Sequence, residues 1–379
     1  SMDPDDFTRA VEKGKKVVVV VELANPTSQG FTVISNMLGK LSSKGVPSEN
    51  TRILVTGGTS ESIRADKDRF EAWNERFARY SVTEHNPLSS ECVEVGKTDK
   101  GTKVFLNRVF VEADNRIVVS DVGLHRFLGY RGGCSAIIPG IASAETIRHS
   151  LAMLTNTNVR RGVLEGNPVH ESIADACRLT HVDLAFFMTT NLQGDVVNVQ
   201  AGELIETFVK ASSEYSELCK IPFKQKGEIV IASAGGSPFD VDLYHATGGL
   251  DAALRIVKDG GAVIFVAECP KGYGNKIFYE WARQFKELKE IEGEIKKRYV
   301  SGGEGAYYLL KAREKARIYL VSVMPDYYAS NVFKLKTART TNSALQAAQR
   351  VLGKDSRITV LPHAFMTLPT LELPPSDRT

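Results

Sequence analysis

The chain has 379 residues, 42% hydrophobic and 25% charged, with a formal net charge of +3, the balance of an ordinary globular protein. Its basic residues are dispersed, which gives nucleic-acid binding no support, and no apolar run approaches the ~18 residues of a membrane span. No charged-then-apolar signal segment is present, and the five cysteines (Cys92, Cys134, Cys177, Cys219 and Cys269) lack CxxC spacing, which argues against a disulfide framework or structural zinc and leads us to expect a cytoplasmic protein.

At about 150 residues per domain the length suggests two domains. The unbroken β-branched run Val17 to Val21 predicts a strand buried on both faces, with the polar loop from Glu22 through Asn25 and Pro26 behind it. A helical period over Phe31 to Leu41 follows, then a second strand over Ile53 to Thr56 and its exit loop Gly57-Gly58-Thr59-Ser60. Glu61 to Tyr80 is charged and helical. The rhythm is that of βαβ units, in which ligands collect at the carboxyl ends of strands.

Short strands at Val104 to Arg108 and Arg116 to Ser120 deliver the chain into a glycine-dense stretch, residues 122–147, VGLHRFLGYRGGCSAIIPGIASAETI. Its glycines would let a ligand approach the backbone, and Ser143 is an N-cap candidate for the next helix. His125, Arg131, Cys134 and Ser135 lie inside it. Helices are predicted at Glu145 to Leu154, Pro168 to Leu179 and Gly202 to Leu218, with a strand at Val182 to Met188. Ile221 to Lys224 is the candidate boundary, so the expected domains are residues 1–222 and 223–379.

The second domain begins with the strand Glu228 to Ala232 and the loop Ser233-Ala234-Gly235-Gly236-Ser237-Pro238-Phe239-Asp240, which leads to Tyr244-His245 at the head of a helix reaching Lys258. Gly260-Gly261 turns into the apolar strand Ala262 to Glu268, followed by the loop from Pro270 to Asn275. A charged helix at Lys286 to Lys297, strands at Arg317 to Met324 and Arg357 to Leu361, and a helix at Ser343 to Leu352 complete the reading. The expected fold class is α/β, with two α/β domains facing each other across an interdomain cleft.

With these loops laid out, the chain resembles the lactate racemase family, whose members use a nickel-pincer nucleotide. The resemblance runs from about Val17 to Pro362 and is most specific in GYRGGCSAIIPGIASAETI and in GGSPFDVDLYHATGGLDAA from Gly235 to Ala253. It implies base-assisted hydride abstraction from a 2-hydroxy acid, with two histidines as acid and base, a lysine carrying the pincer, and a histidine on the next helix ligating nickel. His125 stands at the position of one catalytic histidine and Ser60 at the other. Glu22, Ala24 and Asn25 replace the family's aspartate, threonine and arginine, and Pro26 is kept. Ser135 falls at the pincer lysine and Leu151 at the nickel ligand. Tyr244 matches a substrate-site tyrosine, while the lysine expected four residues later is Gly248.

These exchanges alter the chemistry. A serine hydroxyl cannot reproduce a lysine linkage, and leucine offers nickel no lone pair. His149 lies about 200° around a helix from position 151 and should point away from it. Cys134 is a soft donor, although a buried lone cysteine is ordinarily packed. We therefore expect no metal ligand and leave the cofactor open, the nickel-pincer nucleotide being implied by the resemblance alone. His125 and Tyr244 are the catalytic candidates. Glu22, Asn25, Ser60, Arg131, Ser135 and His245 are the substrate-binding candidates, Arg131 because a guanidinium suits a carboxylate or phosphate. His85, His170, His181 and His363 read as structural. The expected activity is an isomerase acting on a small anionic 2-hydroxy acid or sugar acid, the alternative being a non-catalytic protein that senses an acid or nucleotide.

Overall fold

The structure, a computed structural model, describes residues 11, 14–23, 28–56 and 67–372. Asn25 and Ser60 lie outside the described residues. The chain divides into two compact units, Ser1–Leu218 and Cys219–Thr379.

Unit one runs β1 (Val17–Glu22), α1 (Ser28–Ser43), β2 (Thr51–Val55), α2 (Lys67–Arg76), β3 (Ser81–Glu84), β4 (Cys92–Lys97), β5 (Lys103–Asn107), α3 (Arg108–Val111) and β6 (Asn115–Asp121). It continues through β7 (Gly123–His125), β8 (Gly129–Arg131), α4 (Ala144–Leu151), α5 (Pro168–Cys177), β9 (Leu184–Thr190), β10 (Val196–Gly202) and α6 (Leu204–Cys219). The main sheet has the order β10-β9-β6-β1-β2-β3. β1 is parallel to β2 on one side and to β6 on the other, and its five valines are essentially without exposure, as its composition requires. Val17, Val19 and Val21 share one core cluster with Ile34, Met37 and Leu38 of α1 and Trp73 of α2. The chain winds outward from β1 to β3 and then restarts at β6 on the opposite flank, so a topological switch point lies between β1 and β6. Glu22 ends one of these strands and Asp121 ends the other.

Unit two comprises β11 (Lys220–Phe223), β12 (Gly227–Ser233), α7 (Leu243–Ile256), β13 (Val257–Val266), α8 (Lys276–Gln284), α9 (Leu288–Lys297), α10 (Gly303–Lys315), β14 (Arg317–Val321), β15 (Lys336–Ala338), α11 (Thr341–Leu352), β16 (Ile358–Leu361) and β17 (Leu368–Leu371). Five strands form a parallel sheet of order β15-β14-β13-β12-β16. Its switch point lies between β12 and β16.

The candidate boundary Ile221 to Lys224 overlaps a strand, since Lys220–Phe223 pairs in parallel with Leu368–Leu371. Two sequence expectations are corrected here. Gly260-Gly261 does not turn before β13 but lies within it, at a register irregularity against β12. The glycine-dense stretch is not a loop throughout: β7 and β8 form an antiparallel hairpin, and Gly133–Ala136 is a short 3-10 helix.

Candidate functional site

Where β6 ends, the backbone doubles through the β7–β8 hairpin and returns to the sheet edge. Gly132 has φ 104° and Gly133 has φ 60°, conformations that L side chains rarely adopt. A Cβ on Gly133 would also lie 2.5 Å from the Phe208 ring. Two glycines here let the 3-10 turn press against α6 and place Ser135 beside the end of β1. Ser135 Oγ donates to Glu22, with Oε2 at 2.7 Å and Oε1 at 3.0 Å, and accepts the backbone N–H of Gly132 at 2.7 Å. The far end of the stretch is fixed by His85, which is fully buried: its Nε2 donates to the Ala142 carbonyl at 2.9 Å while Asn107 Nδ2 donates to its Nδ1.

Arg131 turns inward onto Asp121, its NH2 nitrogen 2.5 Å from Oδ2 and its Nε 3.3 Å from Oδ1. Its guanidinium therefore already answers a carboxylate of the protein. The charges of Asp121, Arg131 and Glu22 act on one another, so these groups form one cluster at the switch point. Withdrawal from water is the largest influence on Glu22 and drives its pKa up; the Ser135 hydrogen bond lowers it, Asp121 raises it and Arg131 lowers it, and the result is about 7. A carboxyl so placed exchanges protons near neutrality.

His125 behaves differently. The backbone N–H of Leu128 donates to its Nδ1 at 3.1 Å, and its ring stands edge-on to Phe127 with centroids 4.2 Å apart. Burial, followed by the charges of Arg126, Arg131 and Arg161, holds its pKa well below the ordinary histidine range. With Nδ1 accepting, the neutral ring carries its proton on Nε2. The sequence suggests an acid/base histidine here; the surroundings make it a neutral hydrogen-bond donor.

In unit two the start of α7 carries the named residues. Asp242 caps the helix, its Oδ1 accepting from the His245 backbone N–H at 2.8 Å and from His245 Nδ1 at 2.8 Å. Tyr244 is buried, and its hydroxyl donates to Glu304 of α10, which in turn accepts the Gly302 N–H at 2.9 Å. Sequence reasoning passed over Asp121, Asp242 and Glu304. Asp242 had a readable signal, an acidic residue three positions before His245 at a helix start. Gly248, where the resemblance places a lysine, lies against Phe365: a Cβ there would come 2.5 Å from the ring. Phe365 stacks on Phe239 at 4.4 Å, and its backbone N–H donates to the Ala234 carbonyl beyond β12. An aromatic pair thus fills the space beside α7 at this switch point.

The lactate racemase N-terminal domain model matches residues 2–162, and the lactate racemase C-terminal domain model matches residues 223–367. The chain belongs to the lactate racemase family. Among its relatives, the lactate racemase of Thermoanaerobacterium thermosaccharolyticum is 28% identical over 360 residues, covering 92% of this chain and 84% of the relative. The lactate racemase of Lactiplantibacillus plantarum is 25% identical over 370 residues, covering 94% and 86%. The lactate racemase apoprotein structure from T. thermosaccharolyticum superposes with a TM-score of 0.84 at 24% identity, covering 97% of this chain and 92% of that one. A Thermotoga maritima protein shares the fold with a TM-score of 0.72 at 18% identity, covering 97% and 96%.

Family membership makes the fit of the nickel-pincer nucleotide testable against these residues, and they do not fit. Ser135 spends its hydroxyl on Glu22 and Gly132, where a tether needs an amine. Leu151 is fully buried and has no donor atom, while His149 is exposed on the other face of α4, as the helical rotation predicts. Cys134 is buried, with its carbonyl 3.8 Å from the Cys177 thiol. Among the described residues no group of three His, Cys, Asp or Glu side chains is gathered to hold a metal ion. Among them, too, no helix is long and apolar enough to cross a membrane.

Proposed function

We propose that this member of the lactate racemase family is a racemase or epimerase of a small anionic 2-hydroxy acid or sugar acid, working without a lysine-tethered nickel-pincer nucleotide. The observation that carries the reading is the Ser135–Glu22 pair, seated by the family's glycine turn at the switch point of unit one. Glu22, with a pKa of about 7, exchanges the α-proton of the substrate, and the Ser135 hydroxyl steadies its ionised form. Neutral His125 supplies an Nε2–H donor for the oxygen on which charge develops. Arg131, held by Asp121, adds fixed positive charge. Asn25 and Ser60 are assigned to substrate contact from their positions in the family pattern.

The test is incubation with each enantiomer of lactate and of related 2-hydroxy acids in deuterated water, followed by chiral chromatography and proton NMR. Inversion with deuterium entering the α-position supports the reading. Inversion that keeps the original α-hydrogen overturns it, because that result requires hydride transfer. Saturable binding without conversion supports the second reading, a sensing protein, which the filled positions at Leu151 and Gly248 favour.

A further inference from the structure

Helix α10 serves two neighbourhoods. Glu304, at its start, accepts from Tyr244. Ala306, Leu309 and Arg313 follow at the i, i+3 and i+7 positions of one stripe and line a cavity together with Trp281 and Phe285 of α8 and Ile291 of α9. The first two positions of the stripe are buried and apolar, as a core-facing stripe requires, and the third carries a guanidinium. The cavity measures about 10 Å³, room for about one water-sized group. Trp281 and Ile291 are buried in its wall, while Phe285 and Arg313 are half-buried at its mouth.

Arg313 forms no hydrogen bond and no ion pair among the described residues. Withdrawal from water lowers its pKa, so the guanidinium itself, and not only the aliphatic stem, has lost solvent. Its charged neighbours are cations. Lys286 is lowered by burial and then by the charges of Lys334, Arg313 and Arg283. That ammonium is pinned at the end of α8, donating to the carbonyls of Ala282 at 3.3 Å and Arg283 at 2.5 Å. Glu290, next to Ile291, is turned to the backbone N–H groups of Lys286 and Glu287 instead. A cation in the last turn suits the helix dipole, but Lys315 supplies one from the same turn, and the dipole does not call for a guanidinium withdrawn from water. An uncompensated charge beside an apolar cavity destabilises a fold, and such local costs are typical of places shaped for a ligand.

We infer that unit two binds a short-chain monocarboxylate here, with the carboxylate on the Arg313 guanidinium and the alkyl end in the cavity between Trp281, Ile291 and Leu309. A guanidinium holds one carboxylate through two parallel N–H donors. Lys286, Lys334 and Arg283 raise the local concentration of anions. The apolar wall disfavours a second charge, which selects an alkyl carboxylate over inorganic phosphate, and the cavity limits the alkyl end to about one or two carbons. All of these residues belong to unit two, and the inference does not depend on the isomerase reading.

The experiment uses the full chain and sodium salts at constant ionic strength. The chain has two tryptophans, so the indole N–H signal of Trp281 is assigned by its loss in W281F. Propionate is expected to shift that signal saturably, with a millimolar dissociation constant. Formate, which lacks the alkyl end, should bind roughly tenfold more weakly, and uncharged propionamide should leave the signal in place. R313M should weaken propionate binding at least about tenfold. Urea unfolding gives a second readout. Without ligand, R313M should unfold at a higher urea concentration than the wild type, because it keeps the length of the stem and removes the unpaired charge; propionate should raise the midpoint of the wild type alone. An unmoved Trp281 signal, equal affinities for propionate, formate and phosphate, or undiminished binding by R313M overturns the inference. So does an R313M that is less stable than the wild type, since the guanidinium would then already be compensated within the fold.

Discussion

Gly248 faces Phe365 so closely that a single added Cβ would fall 2.5 Å from the ring, in the space where the family pattern carries a lysine. The relationship makes a signed prediction. Gly248→Ala should destabilise the protein by about 1–3 kcal/mol through overpacking, despite alanine's better helix propensity. In a Phe365→Ala background, where the ring is gone, the same substitution should become stabilising by about 0.5–1 kcal/mol. Denaturant unfolding of the four proteins in the cycle checks it, and a cost that is the same in both backgrounds refutes the contact.

The Glu22 carboxyl provides a pH prediction. Its ordinary value is 4.5 and its folded value about 7, so between these the folded chain keeps a proton that the unfolded chain releases. Stability from this group is therefore present at low pH and is lost as pH rises from about 4.5 to about 7. Glu22→Gln abolishes the linkage. Between about pH 5 and about pH 8 the wild type should lose more stability than the variant. Ser135→Ala, which removes the hydrogen bond favouring the ionised form, should move the loss to higher pH.

His125 carries the opposite sign. Its ring resists protonation in the fold while the unfolded chain protonates around 6.5, so its contribution is present above that value and declines as pH falls below it. The ring's Cε1 proton should show a flat shift from about pH 8 down to about pH 6. A midpoint inside that range would mean that the ring is not held neutral by burial and the three arginines.

The turn that seats Ser135 can be tested by crowding it. Gly133→Ala places a side chain at a φ of 60° and against the Phe208 ring. A loss of about 2 kcal/mol or more is expected. Combined with Phe208→Ala, the total loss should be smaller than the sum of the single losses, because the collision is counted in both. Strict additivity would show that the glycine answers to backbone conformation alone.

Strands whose residues are all apolar could be read from one sequence. Val17 to Val21 and Ala262 to Phe265 are buried throughout, and composition alone marks such segments. The edge strands of the unit-one sheet escaped. Val197 and Val199 of β10 are exposed, and β3 alternates exposed with half-buried residues in a charged stretch, so neither carries an apolar run. α10 was hidden by its own beginning, Gly302-Gly303-Glu304-Gly305, which reads as a turn. In the fold Gly303 lies against Trp281 and Gly305 against Tyr244. Family position identified Glu22 and Ser135 separately. Their hydrogen bond could not be anticipated, because 113 residues separate them and only the parallel register of β1 with β6 brings them together. Asp121, at a strand end, looks like a solubilising residue until Arg131 folds back onto it.

The glycine turn ahead of Ser135 separates shape from chemistry. Gly132 and Gly133 set the turn by their own backbone angles and by the shelf of Phe208, and the Ser135 hydroxyl adds one acceptor for the Gly132 N–H. Position 135 is consequently a socket whose backbone is largely set by its neighbours, so that the side chain placed there decides the chemistry at the cost of one hydrogen bond to the turn. Inherited loop geometry of this kind lets one lineage change its reaction by a substitution at the socket, without first reinventing the place where the reaction occurs.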